Sequence, residues 1–200
     1  MFDSLGQVLG FAGGIIMIAA GLPQVFRIRK LGNTDGFALS PWILMLFTFS
    51  AYTAYGIASN SPAIWVTNIA SFITSGMVVT AVKGNNCKNW LLIAVTGLVC
   101  GGLIIVVPHI VSSTILMLLT GNRIPQLIRT WLNRHTAMVT AVSVSSLAIA
   151  FTSMICWLLY AIFTGDKFIV ATTVVSMVIT ALTAAVELHI ARLARAAHVG

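Results

Sequence analysis

The sequence predicts an all-α membrane protein with seven transmembrane helices, set out as two parallel three-helix-bundle repeats joined by a linker helix (3+1+3). Three observations predict it. Of the 200 residues, 58% are hydrophobic and only 8% charged, with a mean hydropathy of +1.01, against about a quarter charged in an ordinary soluble domain. The chain divides into apolar runs close to the ~20 residues that cross a bilayer core as helix, with no alternation of the kind a strand shows. The pair Pro23-Gln24, in GLPQVFRIRK, returns as Pro125-Gln126 in RIPQLIRTWL, each near the end of an apolar run and followed within a few residues by arginines. Recurrence in the same setting marks a duplicated unit.

The first span runs from about Leu5 to Ile28. A polar turn follows, LGNTDGFALS, in which Thr34 and Asp35 are suited to cap the next helix and Gly36 to relax the turn. The second span covers about Ala38 to Ile57 and the third about Pro62 to Val82, where Pro62 fits a first helical turn. KGNNCK, from Lys83 to Lys88, is the most polar internal segment and separates the halves. Trp90 to Trp131 is almost uninterrupted and long enough for two spans, with Pro108-His109 as the turn between them. The last two spans are placed at about Val139 to Phe163 and Phe168 to His189, on either side of Gly165-Asp166-Lys167. The predicted domains are therefore 1–82, 83–107 and 108–200.

A net charge of +7 would suit nucleic acid, but the eleven Lys and Arg stand singly or in small groups at the ends of apolar runs. That placement implies the lipid bilayer as partner and no nucleic acid. With the N-terminus outside, the inside loops hold Arg27, Arg29, Lys30, Lys83, Lys88, Arg129, Arg134, Arg192 and Arg195, and the outside loops only Lys167. The C-terminus is then cytoplasmic, and a plasma membrane, the inner membrane of a cell, is the expected location. Two three-span copies with both PQ pairs on one side need an odd number of linking helices, which one helix near 89–107 supplies. The N-terminus lacks a basic region ahead of its apolar run, so no cleaved signal is expected. Cys87, Cys100 and Cys156 are an odd number without CxxC spacing, and no Walker loop, nucleophile elbow or His/Cys metal spacing occurs. No enzyme, cofactor or metal is expected.

Aligning the copies gives an offset of 102 from Pro23 to Pro125 and of 105 from Tyr55 to Tyr160, so the second copy holds three extra residues in NRHTAMVTAV. At the second offset Tyr52 pairs with Trp157, Asn68 with Thr173, Pro41 with Ser146, and Val82 with Glu187. The order PQ, basic turn with T-x-G, aromatic-x-x-Tyr-Gly, then Asn68 thirteen residues beyond Tyr55 resembles the SWEET and SemiSWEET sugar transporters of the PQ-loop superfamily. The resemblance covers nearly the whole chain, with the linker helix matched by position alone. It implies facilitated transport of small sugars by alternating access, with no cofactor.

Residue by residue, the resemblance implies a substrate pocket of Asn68 and Trp157, with Tyr52 and Thr173 at the equivalent positions as departures from the family pattern. It implies a hinge set of Pro23, Gln24, Pro41, Pro125 and Gln126, with Ser146 departing where a fourth proline would stand. It also implies an outer gate of Tyr55, Tyr160 and Asp166, positions that suit an interfacial aromatic belt as well. Physically, Asn68 can hydrogen-bond a hydroxyl-rich ligand or join helices to one another, and flat aromatic faces suit a sugar ring. A proline inside a helix removes one backbone hydrogen bond, so the PQ pairs read as hinges or as static kinks.

The four carboxylates Asp3, Asp35, Asp166 and Glu187 are expected in loops or within a turn of a helix end, which favours a facilitator over a proton-driven carrier. Arg123, whose repeat equivalent is Gly21, reads as a charge pair with Glu187 across the bundle or as an anion site for substrate. That second reading keeps open an amino-acid or organic-acid carrier resembling cystinosin. A PQ-loop receptor without transport is the third, since fold alone does not fix function. Gly97 and Gly101 form GxxxG in the linker, expected to pack within the chain; His109 is expected at a solvated turn, and the methionines as lipid-facing or core filler. Assembly into a homo-oligomer is left open by the sequence.

Overall fold

The structure is a computed structural model that describes residues 2–31, 39–121, 124–132 and 144–199. The elements are α1 (Phe2–Leu31), α2 (Ser40–Ala58), α3 (Pro62–Lys83), α4 (Cys87–Val106), α5 (His109–Thr120), α6 (Ile124–Leu132), α7 (Val144–Thr164) and α8 (Lys167–Val199). Stretches within α3, α4, α7 and α8 are long and apolar enough to cross a bilayer, and shorter apolar stretches lie at 4–19, 42–58 and 110–120. These are the seven spans, with α5 and α6 sharing the fifth.

Short-range chemistry sets the helix ends. Ser61 caps α3 by accepting from the Ile64 N–H, with Pro62 in the first turn where it has no N–H to lose. Asn86 caps α4 through Asn89 at 2.8 Å, and Asp166 caps α8 through Ile169 at 3.0 Å. Gly84, at φ +104°, makes a turn that residues with a side chain rarely adopt. The turn through Thr34, Asp35 and Gly36 lies outside the described residues; α2 starts with Leu39 at its cap position and no side-chain cap bond.

Two boundaries differ from expectation and a third lies outside the described residues. In the fifth span, expected to be continuous, α5 ends at Thr120 with Gly121 closing back on Leu118; residues 122–123 lie outside the described residues, and α6 is described from Ile124. Pro125 has no N–H to give the Gly121 carbonyl, so one ladder bond is missing there. The expected α7 start at Val139 lies outside the described residues. The eighth helix passes the expected end at His189 and runs to Val199, because ARLARAAHV is rich in Ala, Leu and Arg and holds no Gly or Pro.

Both halves share one order. In the first half α3 lies between α1 and α2 and packs on both; in the second, α8 packs on α5, α6 and α7. The halves meet where α1 packs on α7 and where α2 packs on α5, while α4 lies against α2 and α3. The outer face of α4 exposes Leu91, Leu98 and Val106, as a lipid-facing linker should. Its inner face holds the GxxxG pair: a side-chain carbon at Gly97 would sit 2.6 Å from the Phe72 ring, and the Ser50 hydroxyl donates to the Gly97 carbonyl. The motif packs helices within the chain.

Small residues on α1 make the α1–α7 seam close. A side-chain carbon at Gly10 would fall 2.7 Å from Ala63 and 2.9 Å from the Tyr160 ring, and one at Gly13 would fall 3.0 Å from the Ser153 carbonyl. The Ser153 hydroxyl donates to the Gly13 carbonyl at 2.8 Å in a fully buried bond. The sequence reading did not single out these glycines.

Candidate functional site

A cavity of about 180 Å³ lies between the halves, and its walls repeat the internal duplication. On α3 it is lined by Ile64, Thr67, Asn68 and Ser71, and on α8 by Ile169, Thr172, Thr173 and Ser176. Each α8 residue stands 105 positions after its α3 equivalent, and the i, i+3, i+4, i+7 spacing puts each set on one helix face. The second helices contribute Thr48, Phe49 and Tyr52 from α2, and Met154 and Trp157 from α7. Gly14 and Met17 on α1 and Thr120 on α5 complete it. All four residues expected to bind substrate (Tyr52, Asn68, Trp157 and Thr173) are thus on one cavity. Of the methionines, Met17 and Met154 line the cavity, and Met154 is also part of the buried core, as expected of filler.

Hydrogen bonds fix much of the wall. Thr48 donates to the Leu44 carbonyl at 2.9 Å, Thr67 to that of Ala63 at 2.6 Å, and Ser71 to that of Thr67 at 2.8 Å. The Thr120 proton goes to the Leu116 carbonyl at 2.9 Å. Tyr52 Oη lies 3.0 Å from Thr120 Oγ1, and since the threonine proton is committed, the tyrosine is the donor. One amide N–H of Asn68 bonds the Ile64 carbonyl at 2.8 Å, leaving its other N–H and its carbonyl oxygen for a ligand.

The two tyrosines at equivalent repeat positions bond across the halves. Tyr55 donates to the Asp166 carboxylate, 3.0 and 2.9 Å from its two oxygens, and its ring tilts against Phe168 at 5.2 Å. Tyr160 bonds the Ser61 hydroxyl at 2.7 Å and meets Trp157 edge-on at 5.3 Å. Ser61 and Asp166 are themselves 105 residues apart, so each tyrosine reaches the capping residue of the other half's third helix. Ser61, missed by the sequence reading, was legible as the repeat equivalent of Asp166. Ala63, Ile64, Tyr160, Ala161 and Ile169 form one apolar cluster, against which Tyr52, Tyr55 and Trp157 pack; Ile64 and Ile169 of this cluster also line the cavity.

Pro23 and Gln24 lie inside α1, whereas Pro125 and Gln126 are in the first turn of α6. Pro41 is in the first turn of α2, where no intrahelical bond is lost. The side chains of these five residues and of Ser146 lie outside the described residues, as does all of Arg123. The proposed Arg123–Glu187 pair therefore falls outside them too. Glu187 was expected within a turn of a helix end; because α8 continues to Val199, it is interior to that helix and only 4% exposed. Its Oε1 accepts from the Thr130 hydroxyl at 2.9 Å.

Two three-helix units of the same order around a shared polar cavity are an arrangement on which many solute transporters are built. A family model for the PQ loop repeat matches residues 5–65 and again 107–170, so this chain belongs to the PQ-loop family. The two matches begin 102 residues apart and end 105 apart, reproducing both offsets of the repeat. Among curated proteins, the sugar transporter SemiSWEET of Vibrio sp. (strain N418) is 33% identical over 62 residues, 30% of this chain and 64% of that protein. The chain thus spans less than two thirds of that relative's length. Among solved structures, a eukaryotic SWEET transporter superposes with a TM-score of 0.77 over 96% of this chain and 99% of its own, at 16% identity. That likeness speaks for the fold.

Proposed function

We propose that the protein is a SWEET-like facilitator of small sugars that works by alternating access. The observation that carries this reading is the duplicated cavity: hydroxyls, one amide and three aromatic residues, Phe49, Tyr52 and Trp157, set at the interface between repeats. Transporters hold substrate at such interfaces, and this lining suits a neutral polyhydroxylated solute better than an ion. At about 180 Å³ the cavity is below the ~300–1,000 Å³ of drug-sized pockets, so a monosaccharide fits it better than a disaccharide. The similarity to a bacterial sugar transporter supports the same substrate class.

In this reading residues 1–82 and 108–200 act as the moving halves and 83–107 as their connector. Asn68, Thr173, Tyr52 and Trp157 hold the sugar, and Tyr55, Tyr160 and Asp166 form the gate toward the outside. The basic residues cluster at the PQ end, which the positive-inside rule makes cytoplasmic. Rocking about Pro23-Gln24 and Pro125-Gln126 opens that end, with Pro41 a lesser contributor because it breaks no helix. A proton-driven amino-acid carrier is the second reading, favoured by the buried Glu187. Glu187 is not on the cavity, however: it lies eleven residues, about 16 Å along α8, beyond Ser176.

The test is uptake into liposomes of glucose, sucrose and several amino acids, with and without a proton gradient. Glucose flux above sucrose flux, indifferent to the gradient, is expected. Gradient-driven amino-acid flux would replace this reading with the second, and binding without flux would make the protein a receptor.

A further inference from the structure

The cavity's hydrogen-bonding groups are unequally divided. On the α2–α3 side Thr48, Thr67 and Ser71 each commit their one hydroxyl proton to a carbonyl of their own helix, and Tyr52 commits its proton to Thr120. A hydroxyl so committed still has a lone pair to offer, and it can donate to a ligand only by forfeiting a bond it already has. That side accepts, apart from the remaining N–H of Asn68. On the α7–α8 side Trp157, Thr173 and Ser176 make no hydrogen bond within the described residues, and none of their polar atoms is sealed away from the cavity without a partner. The indole N–H can only donate, and the two hydroxyl protons are uncommitted. Here only Thr172 is committed, to the Phe168 and Ile169 carbonyls. The difference is not required by the fold, because Ser71 and Ser176 are repeat equivalents.

We propose that the cavity reads its substrate with a fixed polarity: the α2–α3 wall accepts hydrogen bonds from one edge of the sugar, and the α7–α8 wall donates them to the other. The inference rests on the sugar reading above and adds an orientation to it. A sugar hydroxyl facing Thr67 and Ser71 is recognised as a donor; one facing Trp157, Thr173 and Ser176 is recognised as an acceptor.

Fluorine separates the two roles, since it keeps size and a weak acceptor but removes the donor. Competition against labelled D-glucose uptake in proteoliposomes is measured for each monodeoxy glucose and for the matching monofluoro-monodeoxy sugar. The hydroxyl positions should split. At some, fluorine weakens competition as much as hydrogen does, roughly 2- to 12-fold, the value of one net hydrogen bond; at others the fluoro sugar competes measurably better than the deoxy sugar. Thr67→Val with Ser71→Ala should abolish the penalties at the first set only, and Thr173→Val with Ser176→Ala the fluorine advantage at the second only. If either double variant does not fold, the split in the unaltered protein still decides. Glucose uptake with all positions responding alike overturns the polarity and leaves the sugar reading standing, as does a double variant that alters both sets. No glucose uptake or binding overturns both.

Discussion

Tyr55 and Tyr160 stand at equivalent positions of the two repeats, yet one is half-buried against a carboxylate and the other is 2% exposed against a serine. The cause lies in the first helices. Gly6, Gly10 and Gly13 let α7 close onto α1 around Tyr160, while their counterparts at the 102 offset are Pro108, Ser112 and Ile115. Close backbone approach gives the α1–α7 seam many small contacts and a buried hydrogen bond; the α2–α5 seam has the Tyr52–Thr120 bond, whose two residues line the cavity. A duplicated fold has thus acquired one tight seam and one loose one, and motion between the halves should pivot on the first and open at the second.

The strongest way to break this comparison is at Gly10. Gly10→Val should destabilise the detergent-purified protein by about 1–3 kcal/mol, because its side chain must displace Ala63 or the Tyr160 ring. Gly102→Ala, which meets nothing within 4 Å, should leave the thermal midpoint unchanged or raised. Equal effects would mean that the glycine seam is not special.

The tyrosines sharpen it next. Tyr160→Phe leaves the buried Ser61 hydroxyl short of a partner and should cost about 1–3 kcal/mol, with little change in access to the cavity. Tyr55→Phe should cost less stability and release the Asp166 latch. In a cysteine-free background, a cysteine at position 173 should then be labelled several-fold faster by a water-soluble thiol reagent. If Tyr160→Phe accelerates labelling more, the pivot has been assigned to the wrong seam. The smallest effect is expected at Glu187→Gln: glucose flux should stay indifferent to a proton gradient, and a gradient dependence that this change removes would identify Glu187 as a coupling group.

The sequence carried the repeat well, because Pro-Gln and the tyrosines are rare enough in an apolar chain to align by eye. Tyr52, Asn68, Trp157 and Thr173 share a cavity because an offset that aligns two copies aligns their inward faces. Thr67, Ser71, Thr172 and Ser176 escaped notice since Thr and Ser bond their own helices throughout membrane proteins; only their i, i+3, i+4, i+7 spacing around Ile64 and Asn68, repeated at 105, marks them. The glycines of α1 escaped for a related reason: in lipid a packing face differs from a lipid face in size rather than polarity. Glu187 was misplaced through a helix end set too early.

The most direct test of the account is glucose counterflow through purified protein carrying Asn68→Ala or Trp157→Ala, with unfolding and expression checked alongside. Both variants should fold as the parent does and lose nearly all flux, because each removes a group from the cavity proposed above as the pathway. Flux retained in both would put the substrate route somewhere other than the duplicated cavity.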